Sequence, residues 1–348
     1  MKADPMYLWT HERIDRSKPL DDAWHELHTA LDASPLLHAD FLATALSVFG
    51  AGDETLFRCT RDGRIVCLAV LRPVGTGKWA TFQPSQAPIG FWLQSPEHSL
   101  AALLESLHSS MPLTTAVVSL TQQDPDRLPR PADEPRLSTL DYIDTARIVV
   151  AGDWAAYWGQ RGSNLRHNLK RSKSKLASAG RSHALRTIVD PAELPAAVAT
   201  YGRIESASWK ASEGTAVAPD NDQGKFYTML LERFAARGRA FCYQLLVDDE
   251  VAATDLCIAG RDEIVILKTT YDDRFKDYSP AFLMREIAFQ KIFEQQSFAR
   301  IEFYGRVMDW HLRWTDQVRR MYHVNHFRFA MLKRLARGHG ATADAVSA

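Results

Sequence analysis

The chain has 348 residues, of which 46% are hydrophobic and 24% charged. This composition supports a sizeable core and excludes a wholly disordered, collagen-like or disulfide-scaffold chain, and the length predicts about two domains. The 42 Lys and Arg residues are balanced by 42 Asp and Glu, which argues against a globally basic nucleic-acid coat protein.

The first residues, Met1–Pro5, have no apolar segment behind them and do not read as a signal peptide. The longest apolar runs, such as Ile264–Leu267, are strand-sized, so no membrane span is expected. The first part of the chain reads as helix, helix, strands, helix, strand. Leu20–Leu31 is amphipathic and stops at Ser34-Pro35, and His38–Phe49 is a second helix ended by Gly50. Glu54–Thr60 and Arg64–Arg72 are strands joined at Asp62-Gly63, a hairpin signal. That register sets Cys59 against Val66 and turns Cys67 to the other face, so no bridge is expected. Cys242 and Cys257 complete the cysteines; none has metal-ligand spacing. Reduced thiols, a cytoplasmic location and no metal are therefore expected. Lys78–Gln83 is a strand, Pro96–Ser110 a helix with Ser95 as cap, and Thr114–Leu120 a strand.

Residues 122–135 carry Pro125, Pro129, Pro131 and Pro135 without apolar periodicity and read as an extended linker. The expected organisation is a first domain over 1–121, this linker, a second domain over 136–335, and a tail over 336–348. In the second domain Arg136–Val150 supplies strand, and Asp153 caps a helix beginning at Trp154. Asn164–Ala179 is a helix ended by Gly180, and His183–Val189 a strand. Pro191–Lys210 and Gln223–Arg237 are helices. Ala240–Val247, Val251–Ala259 and Glu263–Tyr271 are strands, Ser279–Gln296 a helix, and Arg300–Tyr304 and Val318–Phe329 strands. The fold class is α+β, with mixed, mostly antiparallel sheets flanked by helices and two similar folds in tandem.

Four segments could carry chemistry. In the first, Ser279 at N-cap and Pro280 at N1 start a helix after the loop Asp272–Tyr278. Its free N–H groups could seat a phosphate, with charge from Arg274 and Lys276, although an ordinary capped helix looks the same. Second, Trp154–Val189 contains no Asp or Glu but many cations, and Leu165, Leu169 and Leu176 form a narrow apolar stripe. The basic stretch 161–175 could meet an anionic partner such as tRNA or another polymer, or be a solvated face. Third, Glu205 and Trp209 lie four apart on a helix, where an indole would raise the carboxylate toward a general base's range; the alternative is a surface salt bridge. Fourth, Glu302–Arg306 and Asp309–Trp314 place Tyr304, Asp309 and His311 near a strand end, where loops build sites. Trp310 and Trp314 read as core. There is no GxSxG, Walker A, GxGxxG or HExxH motif.

Four groups of residues carry a family resemblance: Arg166–Leu176; Glu205–Lys210 with Gly214; Tyr271-Asp272 followed by Tyr278–Met284; and Phe303–Gly305 followed by Arg313-Trp314. Over about Ala146–Arg328, and more weakly over Leu20–Leu93, the chain resembles the GNAT superfamily. The resemblance is to the branch of acetyltransferases associated with bacterial cellulose and exopolysaccharide synthesis, itself similar to Fem-type peptidoglycan aminoacyltransferases. It implies tandem GNAT-like domains with acyl transfer in the second. Acetyl-CoA or another acyl-CoA would be co-substrate, its pyrophosphate at Arg274–Leu283 and its pantetheine between Glu263–Tyr271 and Arg300–Tyr304. Arg274, Lys276, Ser279, Ala281 and Phe282 are then the expected cofactor-binding residues. Glu205 or Asp309 is the base, and Tyr304 the proton donor. Trp209, Lys210, His311 and Arg313 would contact the acceptor, an amine or hydroxyl of a saccharide precursor or small metabolite. The chain departs from the branch at Ala281, where Gly is usual, and at Trp310-His311, where Tyr-Lys is usual. Two alternatives stand beside this reading: a Fem-like aminoacyl-tRNA-dependent transferase, and a non-catalytic binding subunit.

Overall fold

Short apolar runs of period two and wider helical stripes fold into layered sheet and helix, as their periodicities require. The computed structural model describes residues 6–18, 20, 22–207, 217–218 and 220–338. In chain order the elements are β1 (Leu8–Arg13), α1 (Asp22–Ala30), α2 (Ala39–Phe49), β2 (Thr55–Arg61), β3 (Arg64–Gly75), β4 (Lys78–Thr81) and β5 (Trp92–Gln94). There follow α3 (Leu100–Ser110), β6 (Val117–Gln123), β7 (Leu137–Val149), α4 (Trp154–Gly159), α5 (Ser163–Ser178), β8 (His183–Ile188), α6 (Leu194–Ala207) and α7 (Asp222–Ala235). The last are β9 (Ala240–Val247), β10 (Glu250–Ala259), β11 (Glu263–Tyr271), α8 (Pro280–Gln295), β12 (Arg300–Phe303), α9 (Asp309–Leu312), β13 (Val318–Phe327) and α10 (Ala330–Gly338).

The chain divides into two units, residues 1–144 with 319–348, and residues 145–318. In the first, the strand order is β1-β2-β3-β4-β6-β13, with β5 on β3. Every neighbouring pair is antiparallel except β4 and β6, which are parallel and lie on either side of α3 in the chain. Leu103, Leu104 and Leu107 of α3 pack on Phe57, Leu120, Tyr322 and Val324. In the second unit the order is β12-β11-β10-β9-β8, and Ala146–Val149 of β7 pair with β12. Here β11 and β12 are the parallel pair, joined through α8. Leu283, Met284, Ala288, Phe289, Ile292 and Phe293 make α8 the centre of this core, as a helix apolar on most sides must be. An antiparallel run, a helix crossover to a parallel strand and an antiparallel closing strand thus occur in both units, as two GNAT-like folds in tandem require.

Several expectations need correction. The 122–135 segment is packed rather than extended. Asp124 takes a two-pronged bond from Arg319 (Nε 2.9 Å, Nη2 2.8 Å), Leu128 is buried, and its carbonyl accepts from Tyr322 Oη at 2.6 Å. The division between units falls after Asp144 instead, and β13 returns to the first unit by pairing with β6. Local composition could not show this, because the pairing spans some two hundred residues of chain. A bulge between Cys59 and Thr60 sets Cys59 opposite Cys67, not Val66; both are buried and free. Helix α3 begins at Leu100 rather than Pro96, so Ser95 is not its cap. Strand β1 and helix α10 were not anticipated. The expected tail overlaps α10, and residues 339–348 lie outside the described residues.

Candidate functional site

The parallel pair that defines the second unit is short. Only Glu263–Val265 of β11 pair with Arg300–Glu302 of β12. Strand β11 continues against β10 as far as Tyr271, so among the described residues no strand pairs with its other edge over its last six residues. This opening lies at the carboxyl ends of two parallel strands, where open sheets bind ligands.

The loop beyond β11 is a 3-10 turn, Asp273–Tyr278, capped by Asp272, whose Oδ1 accepts from Arg274 N at 2.9 Å. Arg274 is exposed and ion-paired at this turn. Its guanidinium bonds Asp272 Oδ2 at 2.8 Å and pairs with Glu250 at 3.0 Å. The same guanidinium holds the Asp272 carboxyl below its ordinary range. Ser279 is in the left-handed region (φ 51°, ψ 53°) and makes no side-chain cap. Its carbonyl instead accepts from Phe282 N and Leu283 N at 3.0 and 3.1 Å. Pro280 opens α8 as expected, and Ala281 N–H, next in line, has no protein acceptor among the described residues. Lys276 is exposed and has no ion-pair partner among the described residues.

The basic helix adjoins this turn, which the sequence did not reveal. Leu165, Leu169 and Leu176 of α5 are buried, as its stripe requires. Lys173 pairs with Glu286 of α8 at 2.8 Å, and Lys175 Nζ lies 3.5 Å from the Asp277 carbonyl. Arg166, Lys170 and Arg171 are exposed and carry no acidic partner among the described residues.

Phe282, Met308, Asp309, Trp310 and Arg313 line an open pocket of about 450 Å³. Asp309 and Arg313 are exposed, with no ion-pair partner among the described residues. Arg313 lies over the Phe282 ring at 5.4 Å. Trp310 is engaged by the protein itself: the Arg285 guanidinium sits 4.3 Å from its ring centre and His311 stacks on it at 3.5 Å. It is therefore a wall rather than a stacking platform. His311 is buried (4% exposed), and its Nδ1 accepts from Met308 N at 3.0 Å. Burial, then the nearby Arg285, pushes its pKa down to about 4. Tyr304 is buried just past β12 and does not line the pocket.

Beneath Trp310 is a pair that sequence reasoning missed. Arg285 of α8 grips Asp255 of β10 with Nε and Nη2, both at 3.1 Å, and also donates to Thr269 Oγ1. Their side chains are 3% and 2% exposed. The signal was present in part: Asp255 is the one charged residue in the otherwise apolar Val251–Ala259, and Arg285, with Glu286 beside it, interrupts the apolar run Leu283–Phe289.

Glu205 lies off the surface and does not line the pocket. It is buried, accepting from Tyr201 Oη at 2.9 Å and Val217 N at 2.8 Å. Tyr201 Oη is also 3.3 Å from the Thr269 carbonyl. Trp209 and Lys210, with Gly214 of the same motif, lie outside the described residues. Glu205 thus pins the chain at Val217 onto α6. Glu205→Gln is expected to preserve stability, because the amide oxygen can accept from Val217 while the Tyr201 hydroxyl turns to Thr269. Glu205→Ala strands the Val217 N–H and should lower the urea-unfolding free energy by about 1–3 kcal/mol. Gly202 serves the same contact: a Cβ there would collide with the Val217 carbonyl oxygen. Gly202→Ala is expected to cost about 1–3 kcal/mol and to speed proteolysis near Val217. Unchanged stability and cleavage would contradict this.

A strand–helix–strand notch beside a charged turn and an open pocket defines an acyltransferase-type fold. Residues 163–338, just over half of the chain, match the family model described as acetyltransferase (GNAT) domain; the chain belongs to this family. No curated protein sequence matches it. Among solved structures it is similar to the C-terminal DUF2156 domain of an Agrobacterium fabrum protein described as a lysylphosphatidylglycerol synthetase (TM-score 0.57, 12% identity, 95% of this chain and 99% of that one). It is also similar to FemX (0.57, 8%, 94% and 99%) and to L-PGS from Bacillus licheniformis (0.52, 10%, 92% and 97%). At these identities the likeness is one of fold. No described helix is long and apolar enough to cross a membrane, and the described residues hold no cluster of metal-ligating side chains.

Proposed function

We propose that the second unit transfers an acetyl or other acyl group from acyl-CoA to an amine or hydroxyl, on a saccharide precursor or small metabolite. The observation that carries this reading is the unpaired edge of β11 past Val265, next to the start of α8. The strand offers backbone groups to a pantetheine arm. Ala281 N–H, Phe282 and Lys276 at the turn are assigned to the diphosphate, together with the exposed cations of α5. CoA supplies the activated thioester. The acceptor enters by the pocket at Asp309 and Arg313, and the exposed Asp309 is assigned the base in preference to the buried Glu205.

Calorimetry with acetyl-CoA tests the donor. Micromolar binding, weakened by Lys276→Ala and little changed by Arg274→Ala, supports it; no binding removes it. With a panel of amines and alcohols as acceptors, Asp309→Asn should cut turnover by about 10²-fold or more. Turnover near that of the unaltered chain would take Asp309 out of the mechanism.

A second reading is favoured by one observation, the exposed and unmatched Arg166, Lys170 and Arg171. These suit a polyanionic donor such as the aminoacyl-tRNA of Fem-type enzymes, as the fold likeness to FemX allows. Binding of charged tRNA that falls steeply with salt, without binding of acetyl-CoA, would establish it.

A further inference from the structure

His311 stands where the branch usually has another residue, and its surroundings fix its chemistry. It is N3 of α9 and reaches back to the N-cap, its Nδ1 lying 3.0 Å from Met308 N. A backbone N–H can only donate, so Nδ1 accepts and the ring proton is on Nε2. Nε2 meets no acceptor among the described residues, and it is not one of the sealed-off buried atoms. The ring is immobilised by stacking on Trp310 at 3.5 Å and by the edge contact of Phe303, the last residue of β12, at 5.1 Å. Trp310 is held in turn by Arg285, which Asp255 anchors. A fixed donor thus stands at the carboxyl end of β12, where β11 and β12 are no longer paired.

We propose that His311 uses its neutral Nε2–H to hydrogen-bond the carbonyl oxygen of the acyl thioester, a role that rests on the acyl-CoA reading above. As the acceptor's lone pair bonds to the carbonyl carbon, the π electrons move to oxygen, and Nε2–H stabilises the developing oxyanion. The C–O double bond re-forms as the C–S bond breaks and CoA leaves as thiolate. The acceptor's proton passes to the base or to water, the thiolate is protonated by water, and His311 keeps its own proton. Burial and Arg285 disfavour the imidazolium, so the ring serves as a neutral electrophile and not as an acid, a use of imidazole known in other enzymes.

The test uses the full chain and acetyl-CoA labelled with ¹³C at the thioester carbonyl. Isotope-edited infrared spectroscopy should show the C=O stretch moving to lower frequency on binding. The shift should vanish in His311→Phe and persist in His311→Gln, whose amide N–H reaches the Nε2 position. A ring that only caps α9 would leave the stretch unmoved in every form. Nitrogen-15 NMR of the unaltered chain should place the proton on Nε2 across pH 6–8, a readout that survives if His311→Phe does not fold. A proton on Nδ1, an unshifted stretch in the bound complex, or a shift retained in His311→Phe overturns the role of His311 and leaves the acyl-CoA reading standing. Failure of acetyl-CoA to bind the unaltered chain overturns that reading, and this inference with it.

Discussion

Lowering the pH from 7.5 to 5 is expected to destabilise the first unit by about 3–6 kcal/mol, about 1–2 kcal/mol for each of three histidines, His108 and His326 buried and His323 half-buried. Burial is the leading cause at all three, pushing His108 down to about 3 and His323 and His326 down to about 4. Their unfolded value is near 6.5, so below it the unfolded chain takes up protons that the native chain refuses. Stability is intact above pH 6.5 and is lost as pH falls toward 4. The geometry explains the refusal. His108 Nδ1 and His326 Nδ1 are 2.7 Å apart, so one ring donates to the other, and a further proton there would face two N–H groups. Arg136 and Arg328 add positive charge nearby. His323 Nδ1 accepts from Gln122 N at 3.1 Å. His311 makes the second unit respond in the same direction, but with fewer such groups than the first unit, where burial also holds His28 down. Urea titrations at pH 7.5, 6 and 5 should therefore show the first unit weakening more. His323→Asn, which can keep the bond from Gln122, should flatten the dependence by about 1–2 kcal/mol. Stability that does not change with pH over this range would sink the argument.

Asp255→Ala is expected to remove about 3–5 kcal/mol from the second unit, because it leaves the Arg285 guanidinium buried without its counter-charge. Thr269 alone cannot replace a carboxylate that takes two bonds at 3.1 Å. The loss should spread to the pocket, since Arg285 is what lies against Trp310. Replacing both members by apolar residues of similar volume, Asp255→Leu with Arg285→Met, should restore most of the stability but not the placement of Trp310. Urea denaturation measures the first effect and tryptophan fluorescence of the folded variants the second. A single mutant as stable as the parent would show that the pair is not closed to water.

The first unit also shows why two similar folds need not share a role. Its parallel strands β4 and β6 pair over only three residues, like β11 and β12. There, however, the chain's own Gly90 N–H donates to the Thr121 carbonyl at 3.2 Å, and a Cβ at Gly90 would lie 2.7 Å from that oxygen. Phe91 follows, fully buried and stacked on Phe82. The notch that no described strand closes in the second unit is filled here by side chain and backbone.

The amino-acid sequence by itself determined most of the elements and the family. Hydrophobic period located α5 and α8 to within a residue or two, Asp62-Gly63 marked its hairpin, and the order of short motifs identified the GNAT resemblance. These are local properties, set by side-chain spacing and by which dihedrals a residue tolerates. What depended on distant partners was decided only by the tertiary structure. The return of β13 to β6, the docking of 122–135 by Arg319 and Tyr322, and the bulge that faces Cys59 with Cys67 all arise from contacts that no local window contains. The same holds at the candidate site: the ion pairs of Arg274 with Asp272 and Glu250, and the bonds of Glu205 with Tyr201 and Val217, join residues that their local sequence does not pair. A side chain's charge is written in the sequence, whereas its free energy depends on burial and on the partners that folding brings within hydrogen-bond reach.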